Sequence, residues 1–366
     1  MAASFGQGDG RRLGITPVNA CGRRAGGVSG PSFEQGEGRW LGAAEVYDAA
    51  GRYLGPGHDA RAVRRDLDDG NVEVTVSFDG PFRLSGSYVI SDCGDHRLYL
   101  GPLNHGYAEV LGDRLVDTNN YWPDIGLSQR LFLMVLPGGS TQLSLALLSR
   151  GEQAAYTVVG EYERHSPTDS PDVAGSAPVS PGVAGPASVS PVEPGVAPVS
   201  SPASDEPELG AEERSGALLE RSGTWSGTLE LLDDGGAPRG TAVYTERVER
   251  VLRPEEAGGA GGAGRLDMAL AGSGFAGDAT ISLRTDGRQQ WTGGASGGGS
   301  VVGSQSLWGG RALAGTLLFG RDRLRLWRRE VARRDGSCKG VVHTWYRGGS
   351  RVGVAHGVLD FTPARR

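Results

Sequence analysis

A short motif of glycine and tryptophan occurs twice in this chain, and the repeat limits the fold more than any other feature. The first copy, Gly-Arg-Trp-Leu-Gly, occupies residues 38–42, and the second, Gly-Thr-Trp-Ser-Gly, occupies residues 223–227. Each copy is followed by a short run of mixed apolar and polar residues and then by a turn that contains Asp and Gly. Two copies separated by the length of one small barrel predict two units of the same β-fold.

The residues around the two motif copies have the pattern of short strands. Residues 72–78, Val-Glu-Val-Thr-Val-Ser-Phe, alternate apolar and polar side chains with the period of two that is typical of a half-buried strand. Similar segments recur at intervals of roughly ten residues, divided by Gly-containing turns, as in sandwiches and barrels. Only residues 61–68 and 211–220 favour short helices. The chain is therefore predicted to be all-β.

The repeated motif and the strand rhythm together resemble tandem calycin proteins, the lipocalin-like family with two barrels in one chain. A bacterial family of double lipocalin-like domains, and more distantly the carotenoid hydratases and fungal decalin-forming cyclases, share this arrangement. The resemblance implies two antiparallel up-and-down calycin-like β-barrels, with Trp40 and Trp225 closing the barrel bases. It also implies a small apolar or amphipathic molecule in a barrel cavity, which a few relatives use for cyclisation or hydration.

The domain boundaries follow from two segments of unusual composition. Residues 1–34 are Gly-rich, lack apolar periodicity and are predicted to be a disordered leader. Residues 166–217 repeat Pro, Val, Ser, Ala and Gly, with too few bulky side chains to offset the entropy of ordering the backbone. We interpret them as a long disordered linker that tethers the halves without fixing their geometry. The predicted barrels then occupy residues 35–165 and 218–366.

The composition excludes several partners. A net charge of −6 over 366 residues lacks the basic surface that nucleic-acid binding needs. Cys21, Cys93 and Cys338 are neither a disulfide framework nor a zinc-binding pattern, which favours a reducing compartment. No apolar run has the length of a membrane span or of a signal peptide. We expect a cytoplasmic protein without a membrane span, and the sequence leaves its oligomeric state open.

The densest chemistry lies in the predicted C-terminal hairpin. With a period of two, Lys339, His343, Trp345 and Arg347 share one face of a strand. A cavity wall explains a row that is too polar for a simple core and too aromatic for a solvent face. The residues predicted to bind ligand in this second barrel are Lys339, Trp345, Arg325, Trp327 and His356.

The sign of the charge on this row predicts the kind of ligand. If the row that contains Arg325 and Trp327 converges with the row of Lys339 and His343, the cavity is cationic and aromatic. Such a cavity favours an anionic or enolate-like molecule. The competing interpretation is a charged outer face with structural histidines.

Two polar and aromatic segments of the first half, residues 104–107 and 117–124, fall where loops or strand ends are expected. Loops at a barrel mouth contact ligands, so His105, Tyr107, Tyr121 and Trp122 are further predicted ligand-binding residues. The competing interpretation is ordinary turn chemistry with Trp122 as a plug. Because charged and aromatic rows are fewer here, we expect the first barrel to be the filled one.

Two classes of function stay open. The first is a protein that binds a small apolar or amphipathic, and in a cationic cavity anionic, molecule. The second is a cavity enzyme, a cyclase, isomerase or hydratase acting on a polyketide-like or terpenoid-like substrate. In that enzyme the catalytic residues would be His343, as a base, and Arg347, which would stabilise developing charge.

We expect no metal and no cofactor. His343 and His356 are predicted to lie on adjacent strands but have no third carboxylate or thiol ligand near them. The opening motif also occurs in nitrobindin-like barrels, where His356 would be a haem ligand, but no second motif supports that alternative.

Overall fold

The structure is a computed structural model, and it describes residues 36–65, 71–93, 96–111, 114–165, 217–251, 264–292, 295–296 and 299–365. The predicted leader and nearly all of the predicted linker lie outside these residues. The first half contains β1 Gly38–Asp48, β2 Tyr53–Arg65, β3 Val72–Asp79, β4 Arg83–Asp92, β5 His96–Leu100, β6 His105–Val110, β7 Leu115–Trp122, β8 Leu127–Val135, β9 Thr141–Arg150 and β10 Gln153–His165. The second half contains β11 Gly223–Leu232, β12 Pro238–Val251, β13 Gly264–Ala271, β14 Ala279–Thr285, β15 Gln289–Thr292, β16 Ala295–Ser296, β17 Gly299–Trp308, β18 Ala312–Phe319, β19 Leu324–Ala332, β20 Cys338–Arg347 and β21 Ser350–Pro363.

Strands β1 to β10 close into the first barrel. Each strand pairs with its sequence neighbours, and β1 also pairs with β10, so the topology is up-and-down. In β3, Val74, Val76 and Phe78 are buried while the residues between them are exposed, as the alternation predicts. The predicted helix at residues 61–68 is wrong over its described part, because residues 61–65 belong to β2.

Strands β11 to β21 form the second barrel. The sheet closes through β11 with β21 and through β15 with β17, while the two-residue strand β16 pairs with β17 alone. Of the predicted helix at residues 211–220, the described part is a 3-10 turn at Leu218–Glu220. The predicted fold class is confirmed: the chain forms two closed antiparallel barrels of ten strands. Among the described residues, no helix is long and apolar enough to cross a bilayer.

The repeated motif has a packing role in both barrels. Trp40 and Trp225 are fully buried, and each lies on the first strand of its barrel. The Trp40 indole N–H donates to the carbonyl of Gly36 over 2.9 Å. A Cβ atom at Gly42 would stand 2.3 Å from the Tyr162 ring, so only glycine lets β10 approach this closely.

The two barrels pack against each other through an apolar interface. Its buried residues come from both halves, and Gly340 on β20 lies close enough to Met134 on β8 that a Cβ atom there would stand 3.1 Å from the sulfur. The first barrel contributes Tyr47, Leu111, Leu115, Phe132, Met134, Leu136, Leu143, Leu145 and Val159. The second contributes Leu232, Trp308, Ala312, Ala314, Val331, Cys338, Val342 and Val354.

Ion pairs fix the register of this interface. Both guanidinium nitrogens of Arg329 donate to the Asp117 carboxylate, over 2.7 and 2.6 Å. The Trp327 ring lies 3.8 Å from the Arg130 guanidinium and 3.9 Å from that of Arg329. Arg311 contacts Glu45 and Glu161 of the first barrel. The relative position of the barrels is therefore set by their own surfaces, contrary to the expectation of a tether alone.

Candidate ligand-binding site

The predicted polar row of the second barrel forms a buried ionic network. The Lys339 ammonium donates to Glu330 over 2.7 Å and to Glu246 over 3.0 Å. Arg328 donates to the same two carboxylates, over 2.7 and 2.8 Å. The His343 ring nitrogen lies 2.9 Å from Glu330. All five side chains are at most 1% exposed, so two carboxylates balance two cations inside the barrel.

The charge states in this network are fixed by its geometry. Burial disfavours the carboxylate of Glu330, but Arg328 and Lys339 outweigh burial and hold its pKa well below the usual value. Burial lowers the pKa of His343, against the opposing hydrogen bond to Glu330, so the imidazole is neutral at pH 7. The two carboxylates and two cations of the network therefore balance in charge, although Arg328 Nη1 has no hydrogen-bond partner, and the neutral histidine is not a cation that could bind a ligand.

Among the described residues, apolar side chains pack around this network. One cluster of buried residues runs from β11 round the barrel to β21. Trp345 belongs to it, and its ring lies 5.5 Å from that of Phe319 and 6.1 Å from that of Phe275. Lys339 and Trp345 therefore contact the packed interior, and their predicted ligand-binding role stays a prediction.

The remaining predicted residues of the second barrel point elsewhere. Arg325 and Trp327 lie on the outer face of β19, where Arg325 stacks on Tyr346 and Trp327 faces the first barrel. The two rows do not converge, because Lys339 and His343 point inward while Arg325 and Trp327 point outward. Arg347 is exposed at the end of β20. His356 lies on β21 with its ring nitrogen 3.8 Å from the carboxylate of Glu230.

Two cavities lie inside the first barrel, which the sequence had favoured as the filled one. Their volumes are about 80 and 60 Å³, each several times the roughly 10–15 Å³ that one water molecule needs. Arg61, Tyr88 and Leu131 line both cavities and therefore lie at the boundary between them. The first cavity is also lined by Gly36, Trp40, Val63, Arg65, Val72, Val74, Ile90, Asp92, Arg97, Tyr99, Val116, Leu133 and Gln142. The second is also lined by Asp59, Val76, Phe78, Phe82, Leu84, Asn120, Trp122, Ile125, Gln129, Ser144, Ala146, Leu148, Val158 and Tyr162.

The partition between the cavities is built on Arg61. Its guanidinium donates to both oxygens of Asp59 and, over 2.9 Å, to the hydroxyl of Tyr162. The Tyr162 hydroxyl in turn lies 3.1 Å from that of Ser144. Burial raises the pKa of Tyr88 to about 12, so its phenol keeps its proton at neutral pH. The partition thus presents fixed donors in a low-dielectric interior.

Charged residues concentrate in the first cavity. Arg61, Arg65 and Arg97 line it together with one carboxylate, Asp92. Arg65 is paired with Glu37 over 2.6 Å at the barrel rim. Burial lowers the pKa of Arg97, which Asp92 partly opposes. The lining of this cavity therefore carries more positive than negative charge.

The second cavity is mainly apolar and aromatic. Phe78 and Phe82 stack with ring centroids 4.7 Å apart, and Phe82 lies 5.2 Å from Tyr156. Trp122, a predicted ligand-binding residue, lines this cavity, and its indole N–H donates to Gln129 over 3.0 Å. The two cavities together form an amphipathic interior with a charged part and an apolar part.

The other predicted residues of the first half lie outside the barrel. His105, Tyr107 and Tyr121 line an open groove of about 610 Å³ on its outer surface. The two tyrosines are exposed, and the rings of His105 and Tyr121 lie 5.2 Å apart. His105 begins β6 and Tyr121 is next to the last residue of β7, which agrees with the expectation of loops or strand ends.

The sequence prediction missed the residues that line the cavities. Arg61, Tyr88, Asn120 and Gln142 were not among the predicted site residues. The available signal was the alternation of Asp59, Arg61, Val63 and Arg65, which a strand places on one face. Residues 61–68 were instead interpreted as a short helix, which hid that alternation.

Cys93 is disulfide-bonded. Cys93 follows Asp92 of the first cavity directly in sequence. The spacing of the cysteines had predicted no disulfide framework for the chain. The cytoplasmic location stays a prediction.

No protein-family model matches the chain, and no curated protein matches it. A solved structure of a protein of unknown function from the DUF3598 family of Nostoc punctiforme is 13% identical, covers 90% of this chain and 97% of its own, and has a TM-score of 0.49. The S-type phycobiliprotein lyase CPES from Guillardia theta is 11% identical and covers 37% of this chain and 90% of its own, with a TM-score of 0.29. The redesigned β-barrel mFAP1, bound to DFHBI, is 10% identical, covers 37% of this chain and 100% of its own, and has a TM-score of 0.23. These scores leave the function to be argued from the geometry of the barrels.

Proposed function

We propose that the protein binds a small amphipathic molecule inside its first barrel. The observation that carries the proposal is the pair of cavities on either side of Arg61, Tyr88 and Leu131. Natural protein interiors contain few voids larger than a water molecule, so adjacent cavities in one barrel are unusual for a structural core. Ligand sites, in contrast, combine an apolar wall with a few placed polar groups.

The lining supports an amphipathic rather than a purely apolar ligand. The apolar part of the molecule would lie against Phe78, Phe82 and Trp122 in the second cavity. Its polar part would lie in the first cavity, near Arg65 and Arg97. Because Arg61 already binds Asp59 and Tyr162, it would orient the ligand as part of the wall without moving.

Binding without chemical change is the simpler form of this function. The phenol of Tyr88, with its pKa raised to about 12 by burial, acts as a hydrogen-bond donor and not as a base at neutral pH. His343, the predicted base of a cavity enzyme, contacts Glu330 in the other barrel. The enzyme hypothesis therefore stays a prediction without a specific contact that favours it.

The test is to fill each cavity and measure binding of anilinonaphthalene sulfonate, a fluorescent amphipathic anion. Val74 lines the first cavity and Ala146 the second, and both are buried. Val74→Phe and Ala146→Phe should each weaken binding about tenfold or more, because the ring occupies the space of the probe. Val243→Phe makes the same kind of change on the outer surface, where Val243 is 75% exposed, and should leave binding unchanged. Equal binding by all four proteins would overturn the proposal.

A further inference from the structure

Three buried amide side chains of the first barrel, Asn104, Asn120 and Gln142, lack a hydrogen-bond partner for their oxygen, and the last two line the interior cavities. Gln142 Oε1 belongs to a side chain that is 2% exposed and lines the first cavity. Asn120 Oδ1 belongs to a side chain that is 6% exposed and lines the second cavity. The two amides lie in different cavities, which the partition around Arg61 separates. Each cavity therefore contains one buried acceptor that the protein itself does not satisfy.

Neighbouring polar groups in the same cavities have hydrogen-bond partners within the protein, unlike the amide oxygens of Gln142 and Asn120. Arg61 binds Asp59 and Tyr162, and Gln129 accepts the indole N–H of Trp122. The nitrogen of the Asn120 amide donates to Thr118 over 2.9 Å, so only its oxygen is left. Buried polar atoms in folded proteins are nearly always paired, and an exception at a cavity wall points to a group that arrives from outside.

We propose that the ligand of the first barrel carries two hydroxyl groups, one bound by Gln142 and the other by Asn120. This inference rests on the proposed function and names the chemical class of its ligand: an elongated, mostly apolar diol or bisphenol. A hydroxyl donates to an amide oxygen and also accepts from an amide nitrogen, so it fits either orientation of the side chain. One molecule would pass the partition and place one hydroxyl in each cavity.

A carboxylate fits these two positions poorly. An ionised carboxylate has acceptors only, and it would face the amide oxygens with like partial charge. The arginines of the first cavity are also held by carboxylates of the protein, Asp59 for Arg61 and Glu37 for Arg65. The unpartnered oxygens of Gln142 and Asn120 therefore favour a neutral hydrogen-bond donor on the ligand. The charged residues form the polar wall around that donor.

The test uses straight-chain α,ω-diols of six to twelve carbons and their dimethyl ethers, which have the same length but no donor. Both series displace anilinonaphthalene sulfonate from the parent protein, and isothermal titration gives the stoichiometry. The best diol should bind roughly thirtyfold more tightly than its ether, with one molecule per chain, since two buried hydrogen bonds are at stake. Gln142→Met and Asn120→Leu should each weaken the diol about fivefold and leave the ether unchanged.

Gln305→Met is the matched control. Gln305 is also a buried amide with an unpartnered oxygen, but it lies on β17 in the second barrel. This variant should keep the full preference for the diol. Equal affinity for diol and ether, or two diol molecules per chain, would overturn the inference while the proposed function stands. Failure of the parent to bind the fluorescent probe at all would instead overturn the proposed function.

Discussion

The two barrels have the same topology, but their interiors are packed differently. The second barrel contains one continuous apolar cluster around a balanced ionic network. Inside the first barrel the buried apolar residues fall into three smaller groups, with Trp40, Val46 and Val76 each in a different one. The two cavities lie between these groups. The shared strand order and opening motif therefore determine the β-sheet of each barrel, but they do not determine how side chains pack inside it.

The difference follows from which side chains point inward. In the first barrel, β2 directs Asp59, Arg61 and Arg65 inside, where they line the two cavities. In the second barrel, the inward charges of Arg328 and Glu330 pair within one network, and one cluster of apolar residues packs around it. The barrel with fewer charges in the predicted rows is thus the one that keeps open space.

The largest expected effect comes from breaking the ionic network of the second barrel. Glu330→Leu leaves Arg328 and Lys339 buried beside one carboxylate, and it should lower the free energy of unfolding by about 3–5 kcal/mol. The matched change in the first barrel is Glu37→Leu, which removes the partly exposed partner of Arg65 and should cost about 1 kcal/mol or less. Urea unfolding followed by circular dichroism measures both. Equal losses would contradict the contrast between the two interiors.

A smaller effect is expected from shortening one apolar side chain in each barrel. Leu283 is fully buried in the second barrel, and Leu283→Ala should cost roughly 4 kcal/mol, because it opens a new cavity. Leu133 already borders the first cavity, so Leu133→Ala removes fewer contacts and should cost roughly 2 kcal/mol. The same unfolding experiment compares the two. A larger loss for Leu133→Ala would show that the first barrel is the more tightly packed.

Enlarging a buried side chain should also destabilise the second barrel more than the first. Val341 is fully buried in the packed barrel, and Val341→Phe should cost about 1–3 kcal/mol by overpacking. Val74→Phe extends into the first cavity and should change the stability by less than about 1 kcal/mol. Thermal melts of the two variants provide the measurement. A Val74→Phe variant that melts as low as Val341→Phe would mean that the cavity does not accept the ring.

A last comparison concerns the interface between the barrels, and its expected effect depends on pH. Burial disfavours the Asp117 carboxylate, but Arg329 outweighs burial and holds its pKa below the usual value of 3.8. Because the folded-state pKa is lower than the unfolded one, this pair stabilises the protein above about pH 4, and the contribution is lost as the pH falls further. The stability gap between the parent and Asp117→Asn should therefore narrow below pH 4. If the difference in unfolding free energy between the two proteins stays constant down to pH 3, the protonation of Asp117 does not contribute to the pH dependence of stability.

The fold was predictable from the sequence, because period-two alternation and the Gly-x-Trp-x-Gly motif are local signals. The strands that carry Lys339 and His343 also lie as predicted, with both side chains on the inner face. What the pattern could not supply was the carboxylate partner, since Glu246 reaches Lys339 from a strand 93 residues away. The same limit applies to Arg329 and Asp117, which meet only when the barrels pack.

The cavity could not be predicted for a related physical reason. An empty volume is the difference between the space a barrel encloses and the side chains that fill it, and alternation gives only the direction of each side chain. Gln142 and Asn120 lie in strands that contain several other polar residues, and the sequence alone does not distinguish these two from the rest. Their unpartnered oxygens become visible only when the neighbours on β7, β8 and β10 are placed.

The most direct test of the account is a crystal structure of the protein with a bromine-labelled twelve-carbon diol. Anomalous scattering from bromine would locate the probe without assumptions about its fit. The account predicts bromine inside the first barrel, between the side chains of Gln142 and Asn120, and none inside the second. Bromine in the second barrel beside Lys339 and His343, or only in the outer groove beside Tyr107 and Tyr121, would contradict it.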